Sequence, residues 1–303
     1  MLKIELIVEG LEEELRVDKY IANNYDEVSR SELKYYFDED KIYVNSKLAK
    51  PSLKVINGDV IEINERDDQI IDLDKENIPL EVVYEDSDVI VVNKPSGMVV
   101  HPAPGHYSGT LVNALLYHCD TLSNVGGDSR AGIVHRIDKD TSGLLVAVKN
   151  NKAHRNLAEQ FKNKESTTRK YYAIVVGNIS HNLGKINAPI GRDPSNRQKM
   201  AVVEGGKEAI THFKVLERFK NFTLIECTLE TGRTHQIRVH MSYIGHSILN
   251  DPLYGSKKQT TEYGQYLHAK TLGFVHPVTN EIMQFDSELP TEFVEKLDEL
   301  RNE

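Results

Sequence analysis

Gly132-Ile133-Val134-His135-Arg136-Ile137-Asp138-Lys139-Asp140-Thr141-Ser142-Gly143-Leu144-Leu145-Val146-Ala147-Val148-Lys149 packs polar, charged and small residues between two apolar runs. Ile133-Val134 leads straight in, and Leu144 through Val148 leads straight out. The outgoing run is short, carries β-branched residues and is bounded by Gly143 and polar turn residues, which reads as a buried strand. The polar loop then lies at the mouth of a sheet, where a rigid scaffold can hold reactive side chains.

This run resembles the catalytic motif of the RNA pseudouridine synthases, in the branch that modifies large-subunit ribosomal RNA. The family signature is His-Arg-Leu-Asp followed by Thr-Ser-Gly-Leu-Leu. It stands here as His135-Arg136-Ile137-Asp138 and Thr141-Ser142-Gly143-Leu144-Leu145, with Ile137 for Leu, a swap that conserves volume. The resemblance points at Asp138 as the catalytic residue, while Asp140 reads as an ordinary loop aspartate making local turns. A second family motif, basic-x-Tyr-x-Ala, matches Arg169 to Ala173 and places the functional tyrosine at Tyr171. A strand aromatic with a polar tip is the plainer reading of Tyr171. The third motif is matched closely by Thr231 to Met241. There the resemblance assigns Arg238 to pair with the catalytic aspartate and leaves Arg233 to handle phosphate or to order the loop. Arg136 and His235, inside these motifs, are expected to contact substrate. Lys94-Pro95-x-Gly97, His101-Pro102, Asp251-Pro252-x-Tyr254-Gly255 and Leu267-His268-Ala269 also match the family, with Lys94 a candidate phosphate contact or a merely solvated lysine.

Upstream, residues 1–12 read as a strand and turn, and Leu15 to Ile21 opens a helix. Ser29 and Glu32 have the spacing of a capping box for a second helix. Lys41 to Asn45 alternates like a strand, and Asn57-Gly58 signals a tight turn before Val60 to Ile63. Two helices followed by small strands resemble the RNA-binding module of the ribosomal-protein S-four type. Arg30, Lys34, Lys47, Lys50 and Lys54 would form its basic face, with Arg30 the substrate-binding candidate. Residues 66–80 are polar and charged and read as a linker. The domain plan is therefore an RNA-binding domain over 1–65, the linker, and a catalytic domain over 81–303.

Downstream of the central loop a helix is expected over about 151–163, with Ala153, Leu157 and Phe161 on one face. Thr234 is placed to cap a helix running to about Gly245, and Phe293, Leu297 and Leu300 mark a closing helix.

A chain of 303 residues has room for two domains. No apolar run is long enough to cross a bilayer and no apolar signal region opens the chain, so a cytoplasmic setting is expected. The two cysteines, Cys119 and Cys227, have no metal-site spacing and read as buried thiols. The net charge of −9 is unusual for an RNA binder, so local basic patches must serve. One candidate runs Lys149, Lys152, Arg155, Lys162, Lys164, Arg169, Lys170; another is Arg192, Arg197, Lys199. Gly205-Gly206-Lys207 is followed by Glu208 and lacks the spacing of a phosphate-binding loop, so no nucleotide cofactor is expected. His135, Asp138, His235 and His240 fit no zinc-helix spacing, so no metal is expected. Asp138 and Asp140 are too close in the loop for the opposed carboxylates of a glycosidase. A catalytically idle RNA-binding assembly factor and a transfer-RNA synthase are the remaining rivals.

The resemblance implies an α+β fold: a small RNA-binding domain, then a catalytic domain on a mixed, mostly antiparallel sheet with a central cleft. It implies isomerisation of uridine to pseudouridine in structured RNA, with ribosomal RNA or the pre-ribosomal large subunit as partner and no cofactor. Asp138 would be the essential carboxylate with Arg238 as countercharge, and Tyr171 would stack on a flipped-out base.

Overall fold

The structure is a computed structural model. It describes residues 3–25, 33, 36–64, 73–103, 106–125, 127–163, 166–196, 198–255 and 263–303. Two compact units are present: Met1–Leu73 with Asn124–Ala131, and Asp74–Ser123 with Gly132–Glu303.

The first unit contains β1 (Lys3–Ile7), β2 (Leu15–Arg16), α1 (Val17–Asn24), β3 (Ile42–Val44), β4 (Lys47–Leu48), β5 (Lys54–Val55) and β6 (Val60–Asn64). Four strands pair in the order β1-β6-β3-β4, all antiparallel, and β2 pairs β5. Strand alternation turns Ile42, Val44, Ile61 and Ile63 inward, where they meet Val17, Tyr20 and Ile21 of α1 in one core. The expected Asn57-Gly58 turn is present, with Gly58 at φ +93°. Leu33, Tyr36 and Phe37 also join this core, but Ser29, Arg30, Glu32 and Lys34 lie outside the described residues. Residues 73–80 carry no helix or strand.

The second unit is built on a nine-stranded sheet. Its strands are β7 (Glu81–Glu85), β8 (Val89–Lys94), β9 (Ser142–Val148), β10 (Thr168–Val176), β11 (Leu183–Asn187), β14 (Ile210–Arg218), β15 (Phe222–Leu229), β16 (Leu267–Val275) and β17 (Ile282–Asp286). Between them, β12 (Ile190–Arg192) and β13 (Met200–Val202) form a separate ribbon. The helices are α2 (Leu111–His118), α3 (Asn151–Asn163), α4 (Gln236–Tyr243) and α5 (Thr291–Asn302). Strand order is β11-β14-β15-β10-β16-β9-β8-β7, with β17 also on β16. Every pairing is antiparallel except β9 with β16, so the fold is α+β with the expected mostly antiparallel sheet.

That parallel junction positions the central loop. Gly143 lies inside β9 rather than before it, opposite Ala269, with φ +111°. A Cβ there would stand 2.4 Å from the Ala269 carbonyl oxygen, so only glycine lets the two strands approach. All of β9 is buried because both faces are covered. Leu145 and Ala147 pack with Tyr171, Ile237 and Met241, while Leu144, Val146 and Val148 pack with Ala153 and Leu157 of α3. Cys119 and Cys227 are buried free thiols. On α5, Phe293, Leu297 and Leu300 are buried.

Ile133 makes a single bridge, to Ala147. One local expectation is corrected: Thr234 does not cap α4. The N-cap is His235, in the left-handed region at φ 56° and without a side-chain cap bond. Gln236 ties this end instead: its Oε1 accepts from Thr231 Oγ1 and Arg233 N, and its Nε2 donates to the Ile210 carbonyl. At the other end Gly245, at φ +84°, terminates the helix. Its N–H donates to Ser242 O, and His246 N–H donates to Met241 O, the paired bonds of a left-handed glycine cap.

Candidate active site

The second unit contains a cleft of about 540 Å³ lined by residues of the central loop, β10 and the start of α4. Asp138, Tyr171 and Arg238, far apart in sequence, all face it, as do Arg136, Arg233 and His235. Arg238 Nη1 donates to Asp138 Oδ2 at 2.8 Å. The other edge of the guanidinium is held by Asp251: Nε donates to Oδ2 at 2.7 Å and Nη2 to Oδ1 at 2.9 Å. Asp251 is in turn fixed by the backbone N–H groups of Leu253 and Tyr254. The guanidinium fork therefore has a set orientation before it reaches Asp138.

Burial opposes charge on Arg238, but its bonds to Asp251 and the nearby Asp138 more than reverse this and raise its pKa. Burial also disfavours the Asp251 anion, but the bond and charge of Arg238 together with the Tyr254 and Leu253 N–H groups outweigh it, so this carboxyl is held below its usual range. Tyr254 packs beside the pair, with its ring 5.1 Å from Arg238 Cζ. Its hydroxyl oxygen accepts from Met200 N at 2.8 Å, and the hydroxyl hydrogen bonds His235 Nδ1 at 2.9 Å. Burial keeps His235 below its ordinary pKa. Its Nε2 lies 3.9 Å from Asp138 Oδ1. Among the described residues that oxygen accepts no hydrogen bond, so one carboxylate oxygen is anchored and the other is free to react.

Tyr171 comes from β10 and is 8% exposed. Burial raises its pKa, and its hydroxyl makes no hydrogen bond among the described residues. Arg136 is exposed at the rim. Arg233 is half-buried, with Nε donating to the Glu208 carbonyl at 2.8 Å. His135 and His240 are not gathered with Asp138 as metal ligands: His135 Nε2 accepts from Val146 N, and His240 is bonded to Thr211 and the Ala188 carbonyl. Of the expected basic runs, Lys149 pairs with Glu85 and Lys170 with Glu226, while Lys162 lines the cleft. Lys164 and Arg197 lie outside the described residues, as does Arg30.

Lys94 is a correction. It is neither solvated nor placed to touch phosphate: it is 1% exposed. Its Nζ donates to the carbonyls of Pro95, Met98 and Lys139 at 2.8, 2.8 and 2.9 Å. Gly97 N also donates to Lys139 O, and Ser96 Oγ donates to Asp140 O. The turn after β8 thus clasps the loop immediately beyond Asp138. Replacing Lys94 by methionine is expected to orphan the Pro95 and Met98 carbonyls and to leave Lys139 O with the Gly97 N–H alone, destabilise the unit by ~2 kcal/mol or more, and slow catalysis about tenfold or more by loosening Asp138. Unchanged melting and turnover in Lys94→Met would sink that role. Burial pushes the Lys94 pKa down, and the three donated bonds, which need all three ammonium protons, oppose that fall.

Asp251 and Tyr254 are site residues to which sequence reading assigned no role. Their signal was the Asp251-Pro252-x-Tyr254-Gly255 element, whose Pro and Gly mark the turn that brings them back onto α4.

A family model described as RNA pseudouridylate synthase matches residues 88–243. The chain is 49% identical to "Uncharacterized RNA pseudouridine synthase YlyB" of Bacillus subtilis (strain 168), over 99% of each protein. It is 47% identical to "Ribosomal large subunit pseudouridine synthase D" of Zymomonas mobilis, over 91% of this chain and 90% of that one. Among solved structures, "Human RNA Pseudouridylate Synthase Domain Containing 1" superposes with a TM-score of 0.59 at 26% identity, covering 74% of this chain and 87% of that chain.

Proposed function

The chain belongs to the RNA pseudouridylate synthase family, and from that membership we propose that it converts uridines of large-subunit ribosomal RNA to pseudouridine with Asp138 as the essential carboxylate. The ribosomal target is supported by the large-subunit synthase D relatives. The carboxylate's role is supported by one observation above the rest: Asp138 stands in the cleft with one oxygen anchored by Arg238 and the other unengaged.

The reaction breaks the N1–C1′ bond and remakes the link through C5. The C5 proton is lost and N1 gains one, so nothing is added or removed overall. An ionised Asp138 can attack C1′ or take the proton from C2′; Oδ1 is free for either step. Arg238 supplies the countercharge, and its grip on Asp251 fixes the direction from which it does so. Tyr171 offers a ring face for the uracil, which must leave the RNA stack to reach this depth. His235, whose Nε2 faces Asp138 and which burial keeps from charging, would donate to the sugar or the base from that nitrogen in its Nε2–H tautomer without adding a competing charge. Arg136 and Arg233, which line the cleft, would meet the flanking phosphates.

The proposal extends to the plan of the chain. Residues 1–65 act as an S-four-type RNA-binding module with Arg30 on its RNA face, 66–80 tether it, and 81–303 catalyse. Holding RNA on the first module would raise its local concentration at the second.

Chemical mapping of pseudouridine in ribosomal and transfer RNA tests the assignment. In cells lacking the protein, sites in large-subunit RNA should disappear and return with the wild-type gene. Loss confined to transfer RNA would move the target, and an unaltered map together with no isomerisation by the purified protein would reject the activity.

A further inference from the structure

Arg169 lies on β10 two residues before Tyr171 and lines the same cleft. It is 8% exposed, yet among the described residues its side chain forms no ion pair and no hydrogen bond, and its Nε is buried without a partner. Its nearest features are the Phe161 ring, 5.9 Å from Cζ, and Gly232, where a Cβ would stand 2.7 Å from Nη1. Gly232 thus leaves the room that the guanidinium occupies. His135, stacked on Phe161 at 4.4 Å, is held neutral by burial and by this same cation. A buried guanidinium without a carboxylate is unfavourable, and such a charge has value where negative charge develops during a reaction.

We propose that Arg169 stabilises the negatively charged uracil released when the N1–C1′ bond breaks, through its O2 or O4 edge. The inference rests on the pseudouridine synthase reading above. In the step concerned, the bonding pair remains on N1 and delocalises over O2 and O4. C1′ is taken by the Asp138 carboxylate, or the C2′ proton passes to Asp138 and a C1′–C2′ double bond forms. When C5 then bonds C1′, the base returns the pair and Asp138 is released or gives the proton back. The C5 proton leaves, N1 is protonated, and uridine and pseudouridine balance as isomers.

Position favours the base over a phosphate. Arg169, Tyr171 and Asp138 line one cleft, with Arg169 and Tyr171 two residues apart on β10. A uracil stacked on Tyr171 with its sugar at Asp138 is then within reach of the guanidinium. Phosphates are bulky and hydrated and are served at the rim by the exposed Arg136 and Lys162. At the depth of Arg169 the group that arrives is the base.

The test compares wild type, Arg169→Gln and Arg169→Lys for single-turnover rate, RNA affinity at two salt concentrations, and melting temperature. Arg169→Gln is expected to slow isomerisation about 10²–10³-fold, as loss of one preorganised anion donor does. RNA affinity and its salt slope should stay as in wild type, and melting should be unchanged or raised because an unpaired buried charge has gone. Arg169→Lys should recover about tenfold or more of the lost rate through charge alone. RNA carrying 5-fluorouridine at the target makes the departing base a weaker base, so the Arg169→Gln deficit in consumption of that nucleotide should shrink. A deficit equal on both substrates would overturn the proposal, as would a loss confined to affinity with a shallower salt slope, which marks a phosphate contact. Should Arg169→Gln fail to fold, the proposal is wrong about the residue's charge being dispensable for stability, and Arg169→Lys then reads its catalytic part alone. Wild-type protein that isomerises no uridine would reject the parent reading before any variant is compared.

Discussion

Asp138→Asn is expected to lower uridine isomerisation by at least about 10⁴-fold, the scale seen when the group that bonds to or deprotonates the substrate is removed. RNA affinity should remain within about twofold of wild type, because the exposed cations of the rim are untouched. The substitution keeps size and shape and leaves Arg238 held by Asp251, so the fold should survive. Filter binding and a single-turnover assay on the same preparation check both parts. An Asp138→Asn protein with near-normal turnover would remove Asp138 from the chemistry and leave the cleft without a reactive carboxylate.

Arg238→Met has the second large expected effect, and it falls on stability as well as rate. The change strands two carboxylates, one of them the fully buried Asp251 side chain. Breaking a buried pair in this way costs ~3–5 kcal/mol, or roughly 6–20 °C in melting temperature at about 2–4 °C per kcal/mol for a unit of this size. Turnover should fall about 10²–10³-fold, since Asp138 loses both its anchor and its countercharge. The double variant Arg238→Met with Asp251→Leu separates the two effects. Removing the stranded carboxylate should restore much of the melting temperature and none of the activity. Recovery of both would mean that Arg238 acts only by holding the fold.

The three residues that meet in the cleft were legible because each sits in a motif whose spacing survives in this chain, although Asp138 and Arg238 come from different elements. The alternation of β10 and the apolar run of β9 likewise show directly in the sequence. What was not legible depends on partners distant in sequence. Lys94 reads as a surface lysine because lysines are seldom fully buried, and nothing local announces three carbonyls converging on it. Thr234 is the natural helix cap by composition, but Gln236 reaches back to Thr231 and takes the work, leaving His235 in a left-handed conformation. Asp251 and Tyr254 stood in a recognisable turn, yet only the return of that turn onto α4 shows that they hold Arg238 and orient His235. Arg169 counted as one member of a basic run. That it pairs with no carboxylate among the described residues appears only once β10, α3 and Gly232 are brought together.

The most direct test uses purified protein and unmodified large-subunit ribosomal RNA labelled with tritium at C5 of uridine. Conversion to pseudouridine must expel the C5 hydrogen. Wild type should therefore release tritium to water in step with pseudouridine appearing at defined sites, and Asp138→Asn should bind the same RNA and release none. Binding by wild type with no tritium release on any ribosomal RNA, under conditions where the protein is folded, would contradict the account.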